Sequence, residues 1–276
     1  QLKSPFILLT LFFEPSTRTR LSFECAATRL GMGVLTMADA IQESSSRKGE
    51  TLEDMARIVS AYADVVVIRH PELGAAARLA STATVPVINA GDGPGEHPTQ
   101  SLVDLFTIRE AFGSLSDLRV GLCGDLRYGR TIHSLLRLLI AFKCKVTAIA
   151  PAELEIPPEV LQKVPGGTGG LQHEPDLKKV LPHLDVLYMT RVQKERFRQI
   201  EDYDRVCDLY RLAAEDLRNA PDHMRILHPL PRVNEIATDV DSDSRALYFA
   251  QSANGVPVRM ALLSAVLGPD RFAGED

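Results

Sequence analysis

The sequence lacks the marks of several large protein classes. Its four cysteines, Cys25, Cys123, Cys144 and Cys207, are spread over 276 residues with no C-x-x-C pair. That spacing fits neither a disulfide framework nor a zinc cage, and reads as reduced, buried thiols in a cytoplasmic protein. Positive charge is not in excess: 31 Lys and Arg face 36 Asp and Glu, a net charge of −5. Neither nucleic acid nor a membrane is therefore an expected partner. Only Lys3 precedes the first short apolar run and no small-residue cleavage site follows it, so the start does not resemble a secretory signal. The histidines form no H-x-x-H or H-E-x-x-H pattern and no Cys/His cluster, so no metal is expected. Gly121–Asp125 follows a strand, but G-x-G-x-x-G is missing, which argues against a nicotinamide-dependent dehydrogenase. Internal repeats and low-complexity tracts are absent too.

What is present is an ordinary globular composition, 45% hydrophobic and 24% charged, in which short β-rich runs alternate with helix-period segments. The runs are Phe6–Phe13, Val34–Met37, Val65–Ile68, Val85–Asn89, Val120–Cys123, Val146–Ala150, Val186–Met189 and Arg225–Leu227. Such alternation implies an α/β fold of parallel sheets covered by helices. Thr51–Ala63 puts Leu52, Met55, Ala56, Val59 and Tyr62 on one helical face, and Thr99–Phe112 does the same with Leu102, Leu105, Phe106 and Ile108. Because that second helix stops at Gly113 and the strand rhythm then restarts, the expected domains are 1–113 and 114–248. Segment 249–276 is expected to return to the first domain, its last helix, Val256–Leu267, following a turn at Asn254–Gly255.

The most chemically loaded stretch is Phe12–Phe13–Glu14–Pro15–Ser16–Thr17–Arg18–Thr19–Arg20–Leu21. Ser16 or Thr17 is a candidate helix N-cap, directly after a strand. A helix start offers unpaired N–H groups and a positive dipole end, and the hydroxyls and Arg18 add donors and a full charge. This describes a site for a small phosphate; the alternative is an ordinary capped helix with solvated arginines.

This turn, together with Arg69–His70–Pro71, His97–Pro98–Thr99–Gln100, Asp125–Leu126–Arg127–Tyr128–Gly129–Arg130, Arg191–Val192–Gln193 and His228–Pro229–Leu230–Pro231–Arg232, resembles the transcarbamoylase family across essentially the whole chain. The His-Pro-Leu-Pro-Arg segment resembles the aspartate branch; ornithine enzymes typically carry His-Cys-Leu-Pro there. Two departures stand: Asn234 occupies a position where Asp is common, and the helix that usually precedes the first strand is absent, so an upstream segment is expected to lie outside this numbering.

The resemblance implies transfer of the carbamoyl group of carbamoyl phosphate to the α-amine of L-aspartate, without a cofactor. It implies that Ser16, Thr17, Arg18, Thr19 and Arg69 hold phosphate, and that Thr19 and His97 donate to the carbamoyl oxygen. Gln100 accepts from the carbamoyl NH₂, and Pro229 and Leu230, which can contribute only backbone carbonyls, suit orienting that group and the attacking amine. Arg130 and Arg191, whose planar forks suit carboxylates, each hold one carboxylate of aspartate, with Gln193 assisting. Ser44 and Lys48 lie in a polar stretch whose default reading is a solvated loop; in the family the corresponding residues reach a neighbouring subunit, which implies a homotrimer with shared sites. Whether a regulatory chain or fused pyrimidine-pathway domains accompany the chain is left open. Competing readings are a transcarbamoylase with another amino-acid acceptor, and a silent paralogue acting as scaffold. The paralogue would be expected to have lost charge at the ligand positions, yet Arg18, Lys48, Arg69, His97, Arg130 and Arg191 are all present.

Overall fold

The computed structural model describes residues 6–38, 40, 49–167, 170–193, 197, 199–206 and 209–268. Ser44, Lys48 and Cys207 lie outside the described residues. The chain forms two compact units, residues 1–99 with 254–276, and residues 100–253.

The first unit is a four-stranded parallel sheet in the order β2-β1-β3-β4, built from β1 (Ile7–Phe12), β2 (Gly33–Met37), β3 (Val65–His70) and β4 (Val87–Asp92). Alternation along its central strands splits the core in two. Leu9, Leu11, Val66 and Ile68 face the buried residues of α2 (Leu52–Val59) and α3 (Ala75–Thr82). Leu8, Phe12, Val65 and Val67 face Phe23, Ala26 and Ala27 of α1 (Thr17–Arg29), together with Leu263 and Leu267 near the chain end.

The second unit is a five-stranded parallel sheet, β7-β6-β5-β8-β9, from β5 (Arg119–Gly124), β6 (Lys145–Ile149), β7 (Leu171–His173), β8 (Val186–Thr190) and β9 (Arg225–Leu227). One face packs Val120, Leu122, Val186 and Tyr188 against α4 (Pro98–Phe112) and α5 (Arg130–Ala141). The other packs Cys123, Ile149, Leu187 and Met189 among Leu177, Leu181, Leu212 and Tyr248.

The packing corrects several sequence expectations. The compact units divide after Thr99, where the sequence reading placed the domain boundary at Gly113, since Leu105 and Ile108 of α4 are buried in the core of the second unit. Leu102, expected on that buried face, is exposed, while Val103 is buried. Helix α2 stops at Val59, with Ser60 as its C-cap, and leaves Tyr62 exposed. Strand β7 has only three residues, too short for its periodicity to be visible. The last helix among the described residues is α6, Tyr248–Leu267, and it runs through Asn254, Gly255 and Pro257 without a turn. At Gly255 a Cβ would lie 2.3 Å from Arg259 Nη1, so the glycine serves close packing and not a turn. The returning segment accordingly begins at Asn254 rather than 249.

Gly124, the last residue of β5, has φ +115, and a Cβ there would lie 2.1 Å from the carbonyl oxygen of Thr190 at the end of β8. Any side chain would force these two strand ends apart. Gly124→Ala is therefore expected to lose about 3 kcal/mol of stability, read from urea denaturation; a loss under about 1 kcal/mol would show that the Thr190 end moves aside freely.

Candidate active site

In the first unit the ends of β1, β3 and β4 lead into the residues singled out by the sequence, as expected for the carboxyl edge of a parallel sheet. After β1 the chain turns through Phe13–Ser16 into α1. Ser16 is the N-cap residue, but its side chain makes no capping hydrogen bond, and the first turn of α1 carries no acidic residue. The first N–H groups of an α-helix have no intrahelical acceptor, so the dipole's positive end at Thr17, Arg18 and Thr19 is uncompensated from within the helix. Thr19 is buried; Thr17 and Arg18 are exposed. Partial burial lowers the pKa of Arg18, from so high a value that it remains a cation at neutral pH.

Arg69 ends next to this turn because β3 pairs Phe12 with Arg69 and the Phe13 N–H donates to the Arg69 carbonyl at 2.8 Å. Its guanidinium pairs with Glu14 at 3.2 Å and brings Nη1 to 3.5 Å from His97 Nε2. His97 is buried at the end of a loop tied down by Asp92, whose carboxylate accepts from the N–H groups of Glu96 (2.8 Å) and Gly74 (3.2 Å). Gly93 belongs to that loop with φ +50, and a Cβ there would meet the Pro71 carbonyl at 2.3 Å. His70 stacks edge-on against Phe13, its ring centroid 4.6 Å away, and accepts from the Glu72 N–H. Burial lowers its pKa, and it reads as a packing residue.

In the second unit the turn after β5 delivers Arg130 as the first residue of α5, and the end of β8 delivers Arg191. Asp125 joins the two segments. Its carboxylate, fully buried, accepts from the Tyr128 N–H at 2.8 Å and the Gln193 N–H at 3.1 Å. Burial pushes its pKa up, opposed by those N–H groups and by the charge of Arg191. Gln193 donates its side-chain amide to the Tyr128 carbonyl at 2.9 Å, so in this structure it braces the Arg130 turn.

Pro229 and Leu230 follow β9. Leu230, joined to Pro231 by a cis bond, has φ +52, a left-handed backbone that a leucine keeps only where its surroundings impose it. They do so through His228: its Nδ1 accepts from the Leu230 N–H at 2.8 Å, which leaves the ring proton on Nε2, 2.7 Å from Glu235. Burial alone would push the Glu235 carboxyl up, but His228 and the backbone N–H groups of Glu235 itself and Val233 outweigh it and lower the pKa. Gln100, on the first turn of α4, donates to Asp104 one turn on at 2.8 Å.

Sequence patterns assign no role to Glu14, Asp92, Asp104, Glu235 or Gln251, although all except Glu14 are buried. One visible signal is Asp104, an acidic residue inside the apolar run Leu102–Ile108. No group of three or more His, Cys, Asp or Glu suited to a metal ion occurs among the described residues, and none of their helices is long and apolar enough to cross a membrane.

Residues 2–110 match the family described as aspartate/ornithine carbamoyltransferase, carbamoyl-P binding domain, and residues 116–266 match its Asp/Orn binding domain. The aspartate carbamoyltransferase catalytic subunit of Bifidobacterium longum is 53% identical over 267 residues, covering 96% of this chain and 83% of that protein. That of Picrophilus torridus is 49% identical over 262 residues, with 95% and 85% covered. Among solved structures, aspartate transcarbamoylase from Trypanosoma cruzi in complex with carbamoyl aspartate and phosphate superposes with a TM-score of 0.89 at 41% identity, covering 95% of this chain and 84% of that one. The M. jannaschii catalytic subunit does so at 0.88 and 43%, covering 98% and 88%. The sequence matches, the two sheets and the loops at their strand ends agree, and the chain belongs to the aspartate/ornithine carbamoyltransferase family, among its aspartate carbamoyltransferase catalytic subunits.

Proposed function

We propose that the chain catalyses transfer of the carbamoyl group of carbamoyl phosphate to the α-amine of L-aspartate, giving N-carbamoyl-L-aspartate and phosphate, a step of pyrimidine biosynthesis. The observation that carries this reading is the α1 N-terminus: uncapped by Ser16, without an acidic residue, and carrying Arg18, with Arg69 held beside the same turn by Glu14. That is the equipment for a phosphate whose charge grows as it leaves.

The amine attacks the carbonyl carbon, the new C–N bond forms, the bond from carbon to the phosphate oxygen breaks, and the amine proton is released. Arg18, Arg69, Ser16, Thr17 and the helix N–H groups receive the phosphate; Thr19 and His97 donate to the carbonyl oxygen as it gains charge; Gln100 and the Pro229 and Leu230 carbonyls accept from the NH₂ group. Removing one such oxyanion donor costs roughly 2.7–4 kcal/mol. Arg130 and Arg191 hold the carboxylates of aspartate. Asp125 supports that reading, since it ties the segments bearing the two arginines together, while Gln193 acts at least as their brace.

The active species is a homotrimer in which Ser44 and Lys48 of one chain complete the site of the next, a reading that rests on the family resemblance. Its compartment is the cytoplasm, in keeping with free thiols at Cys25, Cys123 and Cys144.

With purified protein, aspartate is expected to be carbamoylated and ornithine not, because a cationic side chain would face Arg191; comparable kcat/KM for the two acceptors would overturn the acceptor assignment. Arg18→Ala is expected to lower kcat roughly 100-fold or more while weakening carbamoyl phosphate, since the charge it meets increases in the transition state. A rise in KM with unchanged kcat would make Arg18 a uniform binder. Arg18→Ala and Lys48→Ala trimers, each nearly inactive, should regain roughly a quarter of wild-type activity when dissociated and reassembled together, if subunits mix evenly in a closed ring. Hybrid trimers no more active than their parents would show that sites are not shared in this way.

A further inference from the structure

At the heart of the second unit lies a buried carboxyl group that the reaction as described does not use. Asp104 is wholly buried on α4. Its Oδ1 accepts from Gln100 Nε2 at 2.8 Å and from Gln251 Nε2 at 2.7 Å, and its Oδ2 accepts from the Tyr188 hydroxyl at 2.9 Å. Gln251 in turn accepts the His228 N–H on its own carbonyl oxygen at 2.9 Å. Burial and the adjoining Asp104 charge push the Tyr188 pKa well up, so its hydroxyl stays a donor.

A side-chain amide has two chemically opposite ends, and packing alone hardly distinguishes them. An ionised carboxylate does, because it can only accept: whichever amide faces it must turn its NH₂ inward and its oxygen away. We infer that Asp104 is a positioning residue that selects the carbamoyl NH₂ group, by fixing the amide polarity of Gln100 directly and the loop carrying the Pro229 and Leu230 carbonyls through Gln251 and His228. Both acceptor sets for the NH₂ thus hang from one carboxylate oxygen. The inference rests on the proposed role of Gln100 and adds to it the reason that Gln100 presents oxygen rather than nitrogen.

The same geometry distinguishes substitutions. In Asp104→Leu the two glutamines lose their acceptor and either amide is free to turn. In Asp104→Asn the side-chain oxygen still accepts from both glutamines, and the Tyr188 hydroxyl can rotate to accept from the new NH₂ group.

The readout is the preference for carbamoyl phosphate over acetyl phosphate, which differs in bearing a methyl group in place of NH₂, taken as the Ki of acetyl phosphate divided by the KM of carbamoyl phosphate. Asp104→Leu is expected to lower this ratio roughly tenfold, through the carbamoyl phosphate KM, with the acetyl phosphate Ki nearly unchanged. Asp104→Asn should keep it within about threefold of wild type, and Tyr188→Phe should leave it unchanged while lowering thermal stability. Equal weakening of both ligands by Asp104→Leu, or no change in the ratio, would overturn the inference. Should Asp104→Leu fail to fold, Gln251→Met decides: it cuts the loop arm alone and should lower the ratio roughly threefold, and a wild-type ratio would overturn the inference. Gln100→Met separates the two levels of argument. If it leaves the ratio at the wild-type value, the role of Gln100 itself is wrong; if it lowers the ratio and Asp104→Leu does not, only the positioning by Asp104 fails.

Discussion

A carboxylate taken out of water must find hydrogen-bond donors or lose its charge, and in this chain the segments that carry the functional residues supply many of them. Asp92 collects the N–H group of Glu96 in its own loop and that of Gly74 before α3, and His97 rides on that loop. Asp125 collects those of Tyr128 and Gln193, between Arg130 and Arg191. Glu235 accepts from His228 and from the N–H groups of Val233 and Asn234, around Pro229 and Leu230. Asp104 accepts from Gln100 and Gln251. Parallel strands end in loops that have no sheet to satisfy their backbone; at three of these loops a buried acid, Asp92, Asp125 or Glu235, converts that deficit into rigidity, while Asp104 acts from α4 on side-chain amides.

The residues at the start of α1 have the opposite character. Arg18 and Thr17 are exposed, and Ser16 makes no cap. Cations at the surface cost little to keep solvated, whereas their alignment depends on the loops beneath them, so charge and rigidity are supplied by different residues. Arg69 joins the two roles: Glu14 holds it on one side and His97 lies on the other. A donor set held in this way needs little reorganisation when charge develops, which is where much of the advantage of such sites originates.

The turn at Ser16 was legible because everything that makes it is contiguous: a strand end, Ser16, and a helix start within a few residues. The strands were legible as apolar runs, and Leu9 and Leu11 against Leu8 and Phe12 divide between faces as a period of two requires. Three-residue β7 is too short to show a period. Leu102 obeys the helical period of α4 yet lies outside the core, because periodicity names a face and only packing decides how wide the buried stripe is. Asn254–Gly255 carries a turn signal by composition, but α6 continues through it, with Gly255 packed closely against Arg259.

The sequence by itself therefore determined the α/β alternation, the helix start after Ser16 and the family motifs, since caps, periods and motifs act over a few residues. The tertiary structure alone decided which acid serves which loop: Asp104 meets Gln251 across 147 residues of chain, and Asp125 meets Gln193 across 68. A lone Asp in an apolar stripe has no local signature of its donors. They exist as partners only once parallel strands from distant parts of the chain lie side by side and close water out.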